Sequence, residues 1–128
     1  MALTTRIETC PGYLLVTNTG SNETLQDSIA YVDLVLGECK RLQRVALLID
    51  DRAAAHRIPT ADAFAVAEHL QDALGAKHVE RMAVVPGPES LLATDEFAVF
   101  MRARGMGFKV FDDIEAARAW MPHGGLAR

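Results

Sequence analysis

Three short apolar runs, beginning at Val45, Met82 and Phe108, each lead toward a segment of helical character, and this repetition constrains the fold more than any other feature of the chain. Val45-Ala46-Leu47-Leu48-Ile49 lies between Arg44 and Asp50, is too short for a helix and does not alternate with polar residues. That is the pattern of a strand covered on both faces, central in its sheet. Met82-Ala83-Val84-Val85, closed by Pro86-Gly87-Pro88, is a second buried run, and Phe108-Lys109-Val110-Phe111 is read as the last strand.

Ahead of these runs, residues 3–9 and 13–17 read as a hairpin turned by Pro11-Gly12. A polar break, Gly20-Ser21-Asn22-Glu23, then leads into a long helix in which Leu25, Ile29, Val32, Leu36, Cys39 and Leu42 recur at spacings of three and four. Tyr31 and Val35 widen that stripe, whereas Leu34 falls opposite it among Asp27, Glu38 and Arg41, facing solvent or a contact.

A loop over residues 51–59 precedes a second helix lined by Ala63, Val66, Ala67, Leu70, Ala73 and Leu74 and ended by Gly75. A third helix spans about residues 90–104, its Phe97, Phe100 and Met101 spread over more than one stripe. Such breadth fits a thick core, a self-association surface or a lipid-lined cavity. In the final helix Asp112 is expected as cap with Glu115 reaching back, while Ile114, Ala117, Trp120 and Met121 face the sheet. Hairpin, helix, strand, helix, strand, helix, strand, helix predicts an α/β fold with a mixed, mainly parallel sheet of about five strands, an N-terminal hairpin and four helices.

With 128 residues, 50% of them hydrophobic and 23% charged, the chain fits one domain over residues 1–128, with a core of about 3–121 and a tail of 122–128. A net charge of -4 disfavours nucleic acid and anionic membranes as partners. No run approaches a membrane span and no secretion signal is visible, so no membrane insertion and a cytoplasmic location are expected. Cys10 and Cys39 are far apart, and His56, His69, His78 and His123 are scattered, so neither a metal nor a cofactor is expected.

Asp50-Asp51 after an apolar strand is similar to the acidic pair of response-regulator receivers, but the Met82 run ends in Pro86 instead of a further Asp. The two carboxylates are therefore expected to be loop or cap acceptors. Gly87-Pro88-Glu89-Ser90 lacks the spacing of a P-loop or a dinucleotide turn and reads as a turn with a Ser90 cap. Local sequence assembles no Ser/His/acid or Cys/His set. Phe64 lies about 100° from the Ala63/Ala67/Leu70 stripe, toward the loop over residues 52–57, a neighbouring helix or a partner.

Taken together, the segment from Gly20 to Asp27 with Thr24, the Leu47-Leu48-Ile49-Asp50 strand, Arg81-Met82-Ala83-Val84-Val85 and the ending Val110-Phe111-Asp112-Asp113 through Glu115-Ala116-Ala117-Arg118-Ala119-Trp120-Met121 look like the SpoIIAA-like family of the STAS superfamily. The resemblance runs from about Tyr13 to Met121. It implies a small bacterial protein related in shape to anti-sigma-factor antagonists and to CRAL-TRIO lipid-binding domains, and it specifies a fold better than an activity. In STAS antagonists a Ser or Thr at the start of the helix after the central strand is phosphorylated, and the resemblance puts Thr60 in about that place, within Ile58-Pro59-Thr60-Ala61-Asp62 instead of an Asp-Ser-Gly-type signature. A phosphate there would meet free N–H groups, although Asp62 would repel it. As a plain cap, Thr60 would only offer its oxygen to the first turn.

The resulting expectation is a non-enzymatic STAS-like regulatory or protein-interaction module. Its partner would be another protein or a second copy of itself, met through Leu34 and Phe64. The alternative is a carrier or sensor that binds a small apolar or lipid ligand.

Overall fold

Gly12 takes φ 89°, a left-handed conformation that glycine adopts without strain, and turns β1 (Thr4–Cys10) into β2 (Tyr13–Asn22). The two strands pair antiparallel from Thr4↔Thr19 to Cys10↔Tyr13. The computed structural model describes residues 3–43, 46–74, 80–88, 91–103 and 107–122, except the side chains of residues 60, 74 and 91–95. Val45, Gly75, Glu89, Ser90, Gly105 and the tail beyond Pro122 lie outside the described residues.

From β2 onward the chain repeats one step. Helix α1 (Leu25–Leu42) returns it to β3 (Ala46–His56), α2 (Thr60–Leu74) to β4 (Arg81–Pro86), and α3 (Leu91–Ala103) to β5 (Phe108–Val110). These steps build a five-stranded sheet in the order β1-β2-β3-β4-β5, parallel after the opening hairpin. Each crossover moves to the next strand in the same direction, so a constant right-handed sense places every crossover helix on one face. The core follows that rule: Leu14, Val16, Leu47, Ile49, Met82 and Val84 pack beneath Val32, Val35, Val66, Leu70 and Met101.

The opposite face is covered by α4 (Ile114–Trp120), whose Ala117, with Met121 just beyond the helix, packs on Tyr13, Ala46, Leu48, Ala83 and Val85. Even and odd residues of β3 thus divide between the two clusters, as strand geometry demands.

Helix α1 begins where Thr24 accepts a hydrogen bond from the Asp27 N–H at 3.0 Å, and ends at Gln43 in the left-handed region, φ 55°. The cap of α4 is Asp113, which accepts from the N–H groups of Glu115 and Ala116, and not the expected Asp112. Three further expectations need correction. The Gly20-Ser21-Asn22 segment continues β2, the stretch after Asp50 continues β3 as far as His56, and Ala73 faces solvent. Polar residues conceal those strand extensions, because Asn22, His56 and Asp51 bond to one another instead of facing water.

Candidate functional site

A slip in strand register creates the site. Thr17 of β2 stands beside Asp50 of β3, but Thr19 stands beside Ala53, so β3 carries one extra residue there and forms a bulge. Strict alternation would put Asp51 and His56 on opposite faces of the sheet. The extra residue restores both to the helix-covered face, where they line the same cavity. β2 needs no such device: Leu14, Val16, Asn18 and Asn22 are all even positions, and all are buried.

The cavity lies between the sheet and the helices and has a volume of about 170 Å³. Its walls are apolar, drawn from residues such as Val32, Val35, Ile58, Val66, Leu70 and Phe97. Phe64 and Glu96 line it and are exposed, which marks where it opens. Phe64 stacks on Phe100 there, with ring centroids 4.6 Å apart.

One end of the cavity is polar. Asn22, Ser28, Tyr31, Asp51 and His56 gather there. Asn22 and His56 are register partners on adjacent parallel strands, and the Arg57 N–H donates to the Asn22 carbonyl at 2.7 Å, which holds the strand ends together. The Asn22 Nδ2 donates to Ser28 Oγ at 2.7 Å and pairs with His56 Nδ1 at 3.1 Å; His56 Nε2 pairs with Asp51 Oδ2 at 2.9 Å. Asp51 Oδ1 accepts from Asn18 Nδ2 at 2.7 Å. Asn18 also donates to the Tyr31 hydroxyl at 3.0 Å and accepts from Thr5 Oγ1 at 2.8 Å, so this fully buried amide ties β1, β2, β3 and α1 together. One buried polar atom of the group, Asn22 Oδ1, has no partner among the described residues.

Burial first, and the Asp51 carboxylate second, push the Tyr31 phenol well above the usual tyrosine range, against the opposing pull of Asn18. Tyr31 is therefore a neutral hydroxyl. Ser28 and the His56/Asp51 pair do not form a nucleophile with its base, because Asn22 stands between the serine hydroxyl and the imidazole. The Ser28 hydroxyl instead donates to the Thr24 carbonyl at 3.1 Å. Among the described residues no group of three or more His, Cys, Asp or Glu side chains could hold a metal ion, and no helix is long and apolar enough to cross a membrane.

The residues singled out from sequence fall elsewhere or at the rim. Asp50 points away from the cavity and accepts from the Arg52 guanidinium at 2.8 and 2.9 Å, which holds its carboxyl below the usual range. Asp51 is a buried acceptor inside a strand and not a loop or cap group. Leu34 is 51% exposed, Phe64 42% and Val99 63%. Thr60 is the first residue of α2, one past the Pro59 carbonyl that accepts from the Ala63 N–H, and its side chain lies outside the described residues. Sequence reasoning missed Asn18, Asn22, Ser28 and His56 as a set. The available signal was the even-numbered phase of β2, which continues inward from Leu14 and Val16 to the two asparagines.

No family model matches the chain, and no curated protein matches it. In three dimensions it is similar to the crystal structure of an uncharacterized protein of the DUF3478 family with a SpoIIAA-like fold from Shewanella loihica PV-4, at 20% sequence identity and a TM-score of 0.60 over 94% of each chain. With its N-terminal hairpin and mixed five-stranded sheet, the chain has a SpoIIAA-like fold.

Proposed function

We propose that this chain is a non-enzymatic, cytoplasmic binding module in which the cavity under α1 and α2 takes a small, mainly apolar ligand, as a carrier or sensor. The observation that carries this reading is the cavity itself, about 170 Å³ of apolar wall ending in a cluster of fixed polar groups. Apolar space with a few convergent polar groups is the usual form of a small-molecule site. Organic extraction of the purified protein followed by mass spectrometry, together with methyl NMR titration using small apolar molecules, tests it. Saturable shifts at Val32, Val35, Val66 and Leu70 are expected. Val66→Phe, which fills the space from α2, should abolish them; failure of every probe to saturate these methyls overturns the reading.

A second reading, self-association, is favoured by Leu34, Phe64 and Val99, each a large apolar residue left exposed on a different helix of the same layer. Native mass spectrometry across concentration reads it directly. A dimer that Leu34→Glu dissociates is the expected outcome, and a monomer at every concentration removes it.

A further inference from the structure

We infer that the ligand is a small neutral molecule with a hydrogen-bond-donating head, a phenol or a comparable alcohol, and that this head docks on the carboxamide oxygen of Asn22. The inference deepens the proposed function and rests on it.

The polar cluster fixes the direction of that amide. Its Nδ2 lies 3.1 Å from His56 Nδ1, and His56 Nε2 lies 2.9 Å from a carboxylate oxygen of Asp51, an arrangement whose hydrogen bonds are complete with the imidazole proton on Nε2 and the Nδ1 lone pair toward Asn22. Asn22 must then present Nδ2 to His56. The same nitrogen donates to Ser28 Oγ, whose own hydrogen goes to the Thr24 carbonyl. Both amide hydrogens are thereby used, and Oδ1 is left buried and without a partner among the described residues, on a residue that is only 3% exposed and lines the cavity. A buried acceptor left unpaired is costly, and a ligand that donates to it recovers that cost. A purely apolar ligand does not.

Charge narrows the class further. Asp51 lines the polar end and Glu96 the opening, while no Lys or Arg is among the lining residues that are described. An anionic head would be buried beside a carboxylate with no cation to meet it, which low-dielectric surroundings penalise heavily. Size narrows it again: a cavity of about 150 Å³ accommodates benzene, so the 170 Å³ here suits one ring with a small substituent.

Toluene, p-cresol and p-toluate share a ring and a methyl group and differ in the head alone, so their dissociation constants on the full chain, read by NMR titration, test the assignment. We expect p-cresol to bind about tenfold more tightly than toluene, the effect of one recovered hydrogen bond, with p-toluate the weakest. The Asn22 side-chain carbonyl ¹³C resonance should move with p-cresol and stay in place with toluene. Asn22→Ala should abolish the preference for p-cresol; should that variant not fold, the wild-type ratio and the carbonyl shift still decide. Equal affinities for p-cresol and toluene, or tightest binding of p-toluate, would overturn the head-group assignment while leaving the apolar site in place. No binding by any of the three overturns both.

Discussion

Asn18 joins β1, β3 and α1 to its own strand through a single side chain. Its amide is fully buried and makes hydrogen bonds to Thr5, Tyr31 and Asp51, so Asn18→Ala strips partners from a carboxylate and two hydroxyls at once. Leaving buried polar groups unpaired costs about 1–3 kcal/mol, and urea unfolding should show a loss toward the upper end with an unchanged slope; a shift below the scatter of the method would show that the network relaxes freely. Two other residues set the alkaline limit. Burial pushes the Cys39 thiol up to about 11 and raises the Tyr31 phenol beyond its usual range. Both groups therefore hold their protons in the folded state longer than in the unfolded chain. Stability should be intact below about pH 9 and fall as the pH rises toward 11, because only the unfolded chain releases those protons readily. Urea midpoints at pH 8 and 10.5 measure it, and a flat profile would refute the burial of these groups. Leu34 was legible from sequence because the helical period sets it among charges, whereas Asn22 and His56 were not. Their polarity reads as loop, and only pairing across strands distant in sequence makes them interior groups.

At the scale of elements, the bulge in β3 matters most, since it decides which side chains reach the cavity. Gly87, just after β4, lies against it: a Cβ there would sit 2.7 Å from the Ala54 carbonyl oxygen and 3.0 Å from that of Asp51. Backbone cannot retreat as a side-chain tip can. Gly87→Ala should therefore destabilise by about 1–3 kcal/mol and displace the Asp51/His56 pair. Gly37 provides the opposite case. It lies within α1 with open space around its missing Cβ, so Gly37→Ala should stabilise by about 0.5–1 kcal/mol through helix propensity alone. Parallel thermal melts of the two variants check both signs, and a destabilised Gly37→Ala would mean that the exposed face of α1 is covered in solution. Elements with a strong period were readable in advance, including α1 and the runs in β3 and β4; the bulge was not, because the extra residue has no signature of its own in Asp51-Arg52-Ala53.

For the molecule as a whole, the one-directional strand order has an asymmetric consequence. With α1, α2 and α3 on one face, the other must be covered by α4, a helix of seven residues. So short a helix has little stability of its own, and its place depends on what it buries. Trp120 is central to that attachment: its ring lies 5.7 Å from Phe111, with the Arg81 guanidinium 5.5 Å and the Lys109 ammonium 5.9 Å from its centre, and its carbonyl accepts from Arg81. Trp120→Ala should cost on the order of 3 kcal/mol, reduced somewhat by the partial exposure of the ring, and should accelerate amide exchange across α4 before any other element. The sheet separates that cluster from the cavity, whose lining includes no residue of α4. Toluene affinity measured well below the unfolding transition should therefore stay at the wild-type value, although the urea midpoint falls. A variant that lost ligand affinity in step with stability would show that the two faces are coupled through the strands they share, and an unchanged midpoint would show that α4 is held by something other than its tryptophan.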